Sequence, residues 1–159
     1  MPVHIRRGVY DDLPEILSLI KELAEYERAP NEVSITLSQL QQDGFGPRPL
    51  FEFLVAEVNA EIVGMAFFYY RYSTWKGKFM YLEDFVVRLD SRGQGIGSQL
   101  FRALMEISQT EDCVGMTWQV LDWNEPALNF YRKYGARLDV EWTNGRLMRS
   151  EISRYINLE

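Results

Sequence analysis

Arg92-Gly93-Gln94-Gly95-Ile96-Gly97 is the stretch on which the fold turns. Before it, Phe79 to Val87 is an apolar, β-branched and aromatic run that reads as a strand. After it, Ile96, Leu100, Phe101, Leu104, Met105 and Ile107 recur at helical spacing. Glycines let the chain turn tightly and bring its backbone close to a ligand. A helix N-terminus offers unpaired N–H groups and a partial positive charge. A strand, this loop and a helix together suit phosphate oxygens, with Arg92 adding a charge-assisted bond. The same pattern also reads as a tight turn that binds nothing. A P-loop would need Gly-Lys-Ser/Thr where Gly97-Ser98 stands, and the glycine spacing 93, 95, 97 is not that of a dinucleotide fingerprint.

Working outward, Val3-His4-Ile5 reads as a short first strand. Asp11 and Asp12 stand where helix-capping carboxylates accept from free backbone N–H groups. Leu13, Ile16, Leu17, Ile20, Leu23 and Ala24 then predict an amphipathic helix to about Tyr26. Ser34 or Thr36 caps a shorter helix over 37–42, and Gly44, Gly46, Pro47 and Pro49 form a loop. Phe51 to Val58 and Ile62 to Tyr72 read as a hairpin through Asn59-Ala60-Glu61. Val114 to Leu121 is a strand, Glu125-Pro126 opens a helix that Gly135 closes, and Arg146 to Ile152 is a last strand. This order predicts one α/β domain, residues 1–159, on a mixed sheet flanked by helices.

Composition narrows the function. The chain has 159 residues, net charge −6, and apolar and aromatic shares of 47% and 14%, so a disordered chain is excluded. No apolar run reaches the roughly 18 residues of a membrane span, and no secretory leader is visible, so no membrane partner is expected. The surplus acid argues against nucleic acid and leaves room for a cationic partner. Cys113 alone excludes an intramolecular disulfide and fits a reducing, cytoplasmic compartment. His4 is the one histidine and has no evident partner; no His, Cys and carboxylate cluster predicts a metal. Glu83 and Asp84 are adjacent carboxylates in an apolar strand, and plain alternation sends them to opposite faces. Each needs a partner if buried. A salt bridge to Lys76, Lys78 or Arg88 is one reading of Glu83, and a cleft carboxylate with a raised pKa is the other.

Here the chain resembles a known family. Strand, Arg-Gly-Gln-Gly-Ile-Gly, then helix matches the acetyl-coenzyme A signature of the GNAT N-acetyltransferases, with Arg92, Gly95 and Gly97 in its fixed positions. Residues 19–27, Asp43-Gly44-Phe45-Gly46, residues 72–77, Tyr81-Leu82-Glu83-Asp84 and Asp122-Trp123-Asn124-Glu125-Pro126 are similar to the spermidine/spermine (diamine) and thialysine acetyltransferase branch. The resemblance implies a mostly antiparallel twisted sheet whose strands at 79–87 and 114–121 splay apart to admit the pantetheine arm. It implies acetyl-coenzyme A as donor, with no metal, held by Phe85, Val86, Val87, Arg92, Gly93, Gln94, Gly95, Ile96, Gly97, Ser98, Asn124 and Tyr131. It places Tyr131 as acid to the departing thiolate and Glu83 as base, directly or through water. Tyr26, Glu27, Trp75, Glu83 and Asp84 are then the acceptor contacts. The implied acceptor is a small cationic amine, and the implied assembly a homodimer. A protein N-acetyltransferase and a non-catalytic acetyl-coenzyme A sensor are the competing functions. At Thr143-Asn144-Gly145-Arg146 the chain departs from the branch pattern of an acid and a Gly-Trp pair, which leaves one substrate contact unassigned.

Overall fold

In the computed structural model, which describes residues 2–157, strand β1 (His4–Arg7) leads into α1 (Leu13–Tyr26) and α2 (Leu37–Phe45). Three longer strands follow: β2 (Glu52–Val58), β3 (Glu61–Ser73) and β4 (Gly77–Val87). The glycine segment then opens α3 (Ile96–Thr110), followed by β5 (Gly115–Trp118), α4 (Glu125–Arg132) and α5 (Arg149–Ile156). The chain forms two compact units that divide between Leu121 and Asp122. The first contains the whole sheet and α1 to α3; the second contains α4 and α5.

The sheet runs β1-β2-β3-β4-β5, antiparallel through β4 and parallel between β4 and β5. The expected mixed, mostly antiparallel sheet flanked by helices is therefore present. β2 and β3 meet in a two-residue turn at Asn59 and Ala60, both at positive φ (52° and 63°), the geometry that matches the twist of paired strands.

Strand alternation sorts the two faces. Val55, Met65, Phe67 and Val86 pack against Leu13, Ile16 and Leu19 of α1 and Leu40 of α2. The three α1 residues are fully enclosed, and each such burial contributes roughly 1.5–3 kcal/mol. On the other face Phe101 of α3 meets Phe85 and Trp118 edge-on, with ring centroids 5.9 and 5.7 Å away.

Three expectations change. Asp12 precedes α1, but its carboxylate does not cap that helix. Arg6 grips it with two bonds of 2.7 and 2.9 Å, and the Val9 N–H donates to it at 2.8 Å. A bidentate, charge-assisted partner outcompetes a neutral N–H. Its pKa falls as a result, chiefly through the Arg6 bonds. His4 does have a neighbour: its Nδ1 lies 3.5 Å from Glu57. Finally, Arg146 to Ile152 is not a strand. The chain is helical from Arg149, because Glu151 accepts from the Met148 N–H at 2.6 Å and thereby caps the first turn. Ile152, Tyr155 and Ile156 then share one helix face at i, i+3, i+4 spacing.

Candidate active site

The site starts from a fault in the sheet. Along β3 and β4 the register runs Tyr69 to Tyr81 and Phe68 to Leu82, then jumps to Phe67 opposite Asp84. Glu83 is the extra residue of a β-bulge. Phe67 and Tyr69 lie two apart on an unbroken strand and so share the α1 face. The Tyr69 hydroxyl donates to Glu83 Oε2 at 3.1 Å, while Asp84 sits opposite Phe67. The bulge thus cancels the alternation, and both carboxylates lie on the α1 face instead of on opposite faces.

Crowding there has an electrostatic consequence. Asp84 is pushed up to about 7, first by burial and then by the negative charges of Glu83 and Glu27. Glu27, half-buried at the end of α1, is also raised by burial. Two tyrosines frame Glu83: Tyr69 and Tyr81 lie 5.2 Å apart, and Tyr69 is pushed up to about 12 by burial and by Glu83, so its hydroxyl remains a donor. Two of the three cations in the salt-bridge reading of Glu83, Lys78 and Arg88, pair elsewhere. Lys78 lies 3.6 Å from Glu111, and Arg88 bonds Glu22 at 3.1 Å and Glu15 at 2.8 Å.

β5 leaves β4 at the same place. Their pairing ends at Leu82 and Trp118, yet β4 continues to Val87. Among the described residues no strand lies beside Glu83 to Val87 on that side, which is the expected splay. Val86 is core and Phe85 packs on Phe101, so those side chains are occupied and main-chain atoms face the gap. Arg88 fixes the end of the strand to α1 through Glu15 and Glu22.

The glycine loop follows. Gly93 and Gly95 both have φ of 76°, a left-handed conformation that side chains disfavour, and a Cβ at either would meet open space. Ile96 is 1% exposed and roots the helix start in the core. Arg92 Nε donates to the Val87 carbonyl at 2.9 Å, and its guanidinium lies 4.9 Å over the Tyr26 ring. The loop is thus tied back to the ends of both β4 and α1. Backbone donors at the start of α3, an arginine and uncrowded glycines fit a pyrophosphate-bearing ligand.

In the second unit, Asn124 caps α4, its Oδ1 accepting from the Ala127 N–H at 3.3 Å. Tyr131, 6% exposed, lies on the same helix with Phe130 edge-on at 5.4 Å. Pro126 in the first turn and Asn124 as cap explain why the helix begins here.

The first unit therefore gathers Tyr26, Glu27, Glu83, Asp84, Phe85 to Val87 and the 92–98 loop around the end of α1 and the outer half of β4. Trp75 is placed apart. It is 84% exposed in the β3–β4 turn, and Glu83 lies six residues beyond Gly77, about 20 Å at the usual strand rise. Thr143 to Arg146 are exposed and belong to no helix or strand. Sequence reasoning overlooked Tyr69 and Tyr81. Their two-residue alternation with Phe67 and Glu83 was the available signal. Among the described residues no group of His, Cys, Asp and Glu is arranged to hold a metal ion.

Comparison with known proteins agrees with this fold. Residues 13–136 match the Acetyltransferase (GNAT) family. The chain is 41% identical over 143 residues to a thialysine N-epsilon-acetyltransferase of Bos taurus, covering 85% of this chain and 84% of that one. It is 40% identical over 159 residues to spermidine/spermine N(1)-acetyltransferase-like protein 1 of Homo sapiens, covering 93% of this chain but 23% of the longer relative. Among solved structures, an aminoglycoside acetyltransferase from an uncultured soil metagenomic sample superposes with a TM-score of 0.77 at 23% identity, over 92% of this chain and 97% of the other.

Proposed function

The chain belongs to the acetyltransferase (GNAT) family and is an N-acetyltransferase, and on that premise we propose that it moves acetyl from acetyl-coenzyme A to a primary amine of a small cationic acceptor of the thialysine or polyamine kind. The carrying observation is the bulge. It sets Glu83 and Asp84 on one face, near Glu27 and beside the part of β4 that β5 leaves. An acceptor with more than one nitrogen finds an acidic, tyrosine-walled surface there, whose ammonium groups are attracted to carboxylate and to ring faces.

Acetyl-coenzyme A supplies, when bound, an acetyl group activated as a thioester. The 92–98 loop, with Arg92 and the first N–H groups of α3, holds its pyrophosphate. Main-chain groups of Phe85 to Val87 align its arm. The family resemblance assigns Asn124, in the second unit, a contact with the coenzyme as well. Attack needs a neutral amine, so a proton must leave the acceptor nitrogen. A base works best when its pKa is near the working pH. Asp84, pushed up to about 7, meets that condition. We therefore assign proton acceptance to the Glu83–Asp84 pair, with Asp84 Oδ taking the proton and Glu83, held by Tyr69, orienting the ammonium or relaying through water. Tyr131 Oη donates a proton to the departing sulfur. Tyr26 and Glu27 line the acceptor side, and Trp75 meets a longer acceptor from the rim.

The family match runs across the division between the two units, which supports reading residues 1–159 as one catalytic domain. The exposed Ile152, Tyr155 and Ile156 of α5 support a homodimer, to be tested by sedimentation, and we take its setting to be the cytoplasm.

The experiment is a thiol-release assay with acetyl-coenzyme A and a panel of thialysine, lysine, spermidine, spermine and simple diamines. Release that depends on an acceptor is expected. Release with none of them overturns the reading.

A further inference from the structure

Arg6, Arg7, Arg88 and Arg102 are each held by carboxylates. Arg71 is not. It is exposed and, among the described residues, makes no hydrogen bond or ion pair. Its guanidinium lies 5.6 Å over the Tyr81 ring instead. Arg71 stands two residues beyond Tyr69 on an unbroken stretch of β3, so it shares the α1 face with Tyr69, Glu83 and Asp84. Tyr69 pairs with Tyr81, and Arg71 stands opposite Phe79. That face therefore carries, in order, Asp84 and Glu83, then the two tyrosines, then Arg71. Two rings 5.2 Å apart separate crowded carboxylates from an unpaired cation. Both charges reach those rings. Burial raises the pKa of Tyr69 and of Tyr81 and Glu83 adds to the rise, while Arg71 pulls both down.

We propose that Arg71 limits how much positive charge an acceptor can bring to this site, so that an amine with one ammonium group is used more readily than an equally long one with two. This rests on the reading of the chain as a small-amine acetyltransferase and narrows it. Glu27, Glu83 and Asp84 draw in the ammonium group that is to react. A second ammonium group needs a partner of its own. The ring face of Tyr81 is the neighbouring candidate, but a guanidinium already covers it. Any ammonium group that comes near also meets Arg71 as a like charge, across distances that a short methylene chain spans. No carboxylate neutralises this arginine, so only solvent and salt screen it. A repulsive element beside an attractive one is how a site separates ligands of similar shape.

The test compares 5-amino-1-pentanol with 1,5-diaminopentane, chains of equal length that differ in one charge. Thiol release from acetyl-coenzyme A is measured for the wild type, Arg71→Gln and Arg71→Lys. Arg71→Gln should raise the ratio of kcat/KM for the diamine to that for the amino alcohol about threefold, the effect of removing one like charge at a wet surface. The gain should fade in about 1 M salt, where the screening length is roughly 3 Å. Arg71→Lys keeps the charge and should keep the wild-type ratio. A ratio that is unchanged or lowered in Arg71→Gln, or that rises equally in Arg71→Lys, overturns the proposal. Titration calorimetry with the same two amines separates it from the transferase reading. If no protein acetylates either amine, that reading fails, while diamine binding that tightens about threefold more than amino-alcohol binding in Arg71→Gln still upholds the role of Arg71. In that case equal tightening of both, or no binding heat from either, overturns it.

Discussion

Tyr69 and Glu83 meet across the β3–β4 pair, the hydroxyl donating to the carboxylate at 3.1 Å, only because one extra residue in β4 turns Glu83 toward the face on which Tyr69 stands. The bond is local, but it orients a carboxylate that also crowds Asp84.

Tyr69→Phe removes that donor and keeps the ring. A neutral donor to a charged acceptor contributes roughly 1.5–3 kcal/mol when buried, and about 1 kcal/mol is the fitting figure at this half-open position. Turnover of the amine should fall about fivefold, with KM for acetyl-coenzyme A unchanged. Steady-state kinetics with each substrate varied checks the split; a change confined to the acetyl-coenzyme A KM would contradict it.

Asp84 gives a prediction with a definite sign. Its folded pKa, about 7, lies above the ordinary 3.8, so the folded state holds the proton that the unfolded state has released. Stability is therefore greatest below the ordinary value and is lost as pH rises through the folded one, levelling off above it. This is the reverse of Asp12, whose lowered pKa contributes stability above the ordinary range that disappears in acid. Asp84→Asn cannot titrate. Its melting temperature should match the wild type near pH 4, exceed it increasingly up to about pH 7, and keep that lead at higher pH. Activity should be lost at every pH if this carboxylate takes the proton. A variant with the wild-type pH–rate profile would remove Asp84 from the chemistry.

Arg92 is held between the Val87 carbonyl and the Tyr26 ring. A cation over an exposed aromatic face contributes about 0.5–1 kcal/mol, so Tyr26→Leu should raise KM for acetyl-coenzyme A roughly two- to fivefold. Tyr26→Phe keeps the ring and should keep the KM. A loss of equal size in both variants would point to the hydroxyl instead.

The parts of the fold set by local signals were legible. α1 follows from its apolar spacing, and the start of α3 follows from Gly93 and Gly95, which the structure puts at positive φ. Glu83 and Asp84 stood out as charges in an apolar strand, but the shared face did not. A bulge belongs to the pairing of two strands, and Leu82-Glu83-Asp84-Phe85 has the same alternation with or without it. α5 was misread because Arg146 to Ile152 is short and weakly periodic, and half of its cap is a backbone N–H that any residue supplies.

Tyr70, next to Tyr69, tests the cost of an unmet polar group. Its hydroxyl is buried and has no hydrogen-bond partner among the described residues, although Lys78 sits 4.4 Å over the ring. Burial is the main reason its pKa is pushed up to about 12. Enclosing a hydroxyl without a partner costs about 1–3 kcal/mol. Tyr70→Phe keeps the ring against Phe68, 6.1 Å away, and the contact with Lys78, and removes only the unmet group. Most core substitutions destabilise; this one should raise stability by about 1 kcal/mol, a few degrees in melting temperature for a chain of this size. Amine turnover should stay unchanged, because the buried hydroxyl bonds none of the groups assigned to the reaction. Urea denaturation at constant m-value checks the gain, and a loss of stability would show that the hydroxyl has a partner after all, such as an ordered water whose bonds the phenylalanine cannot replace.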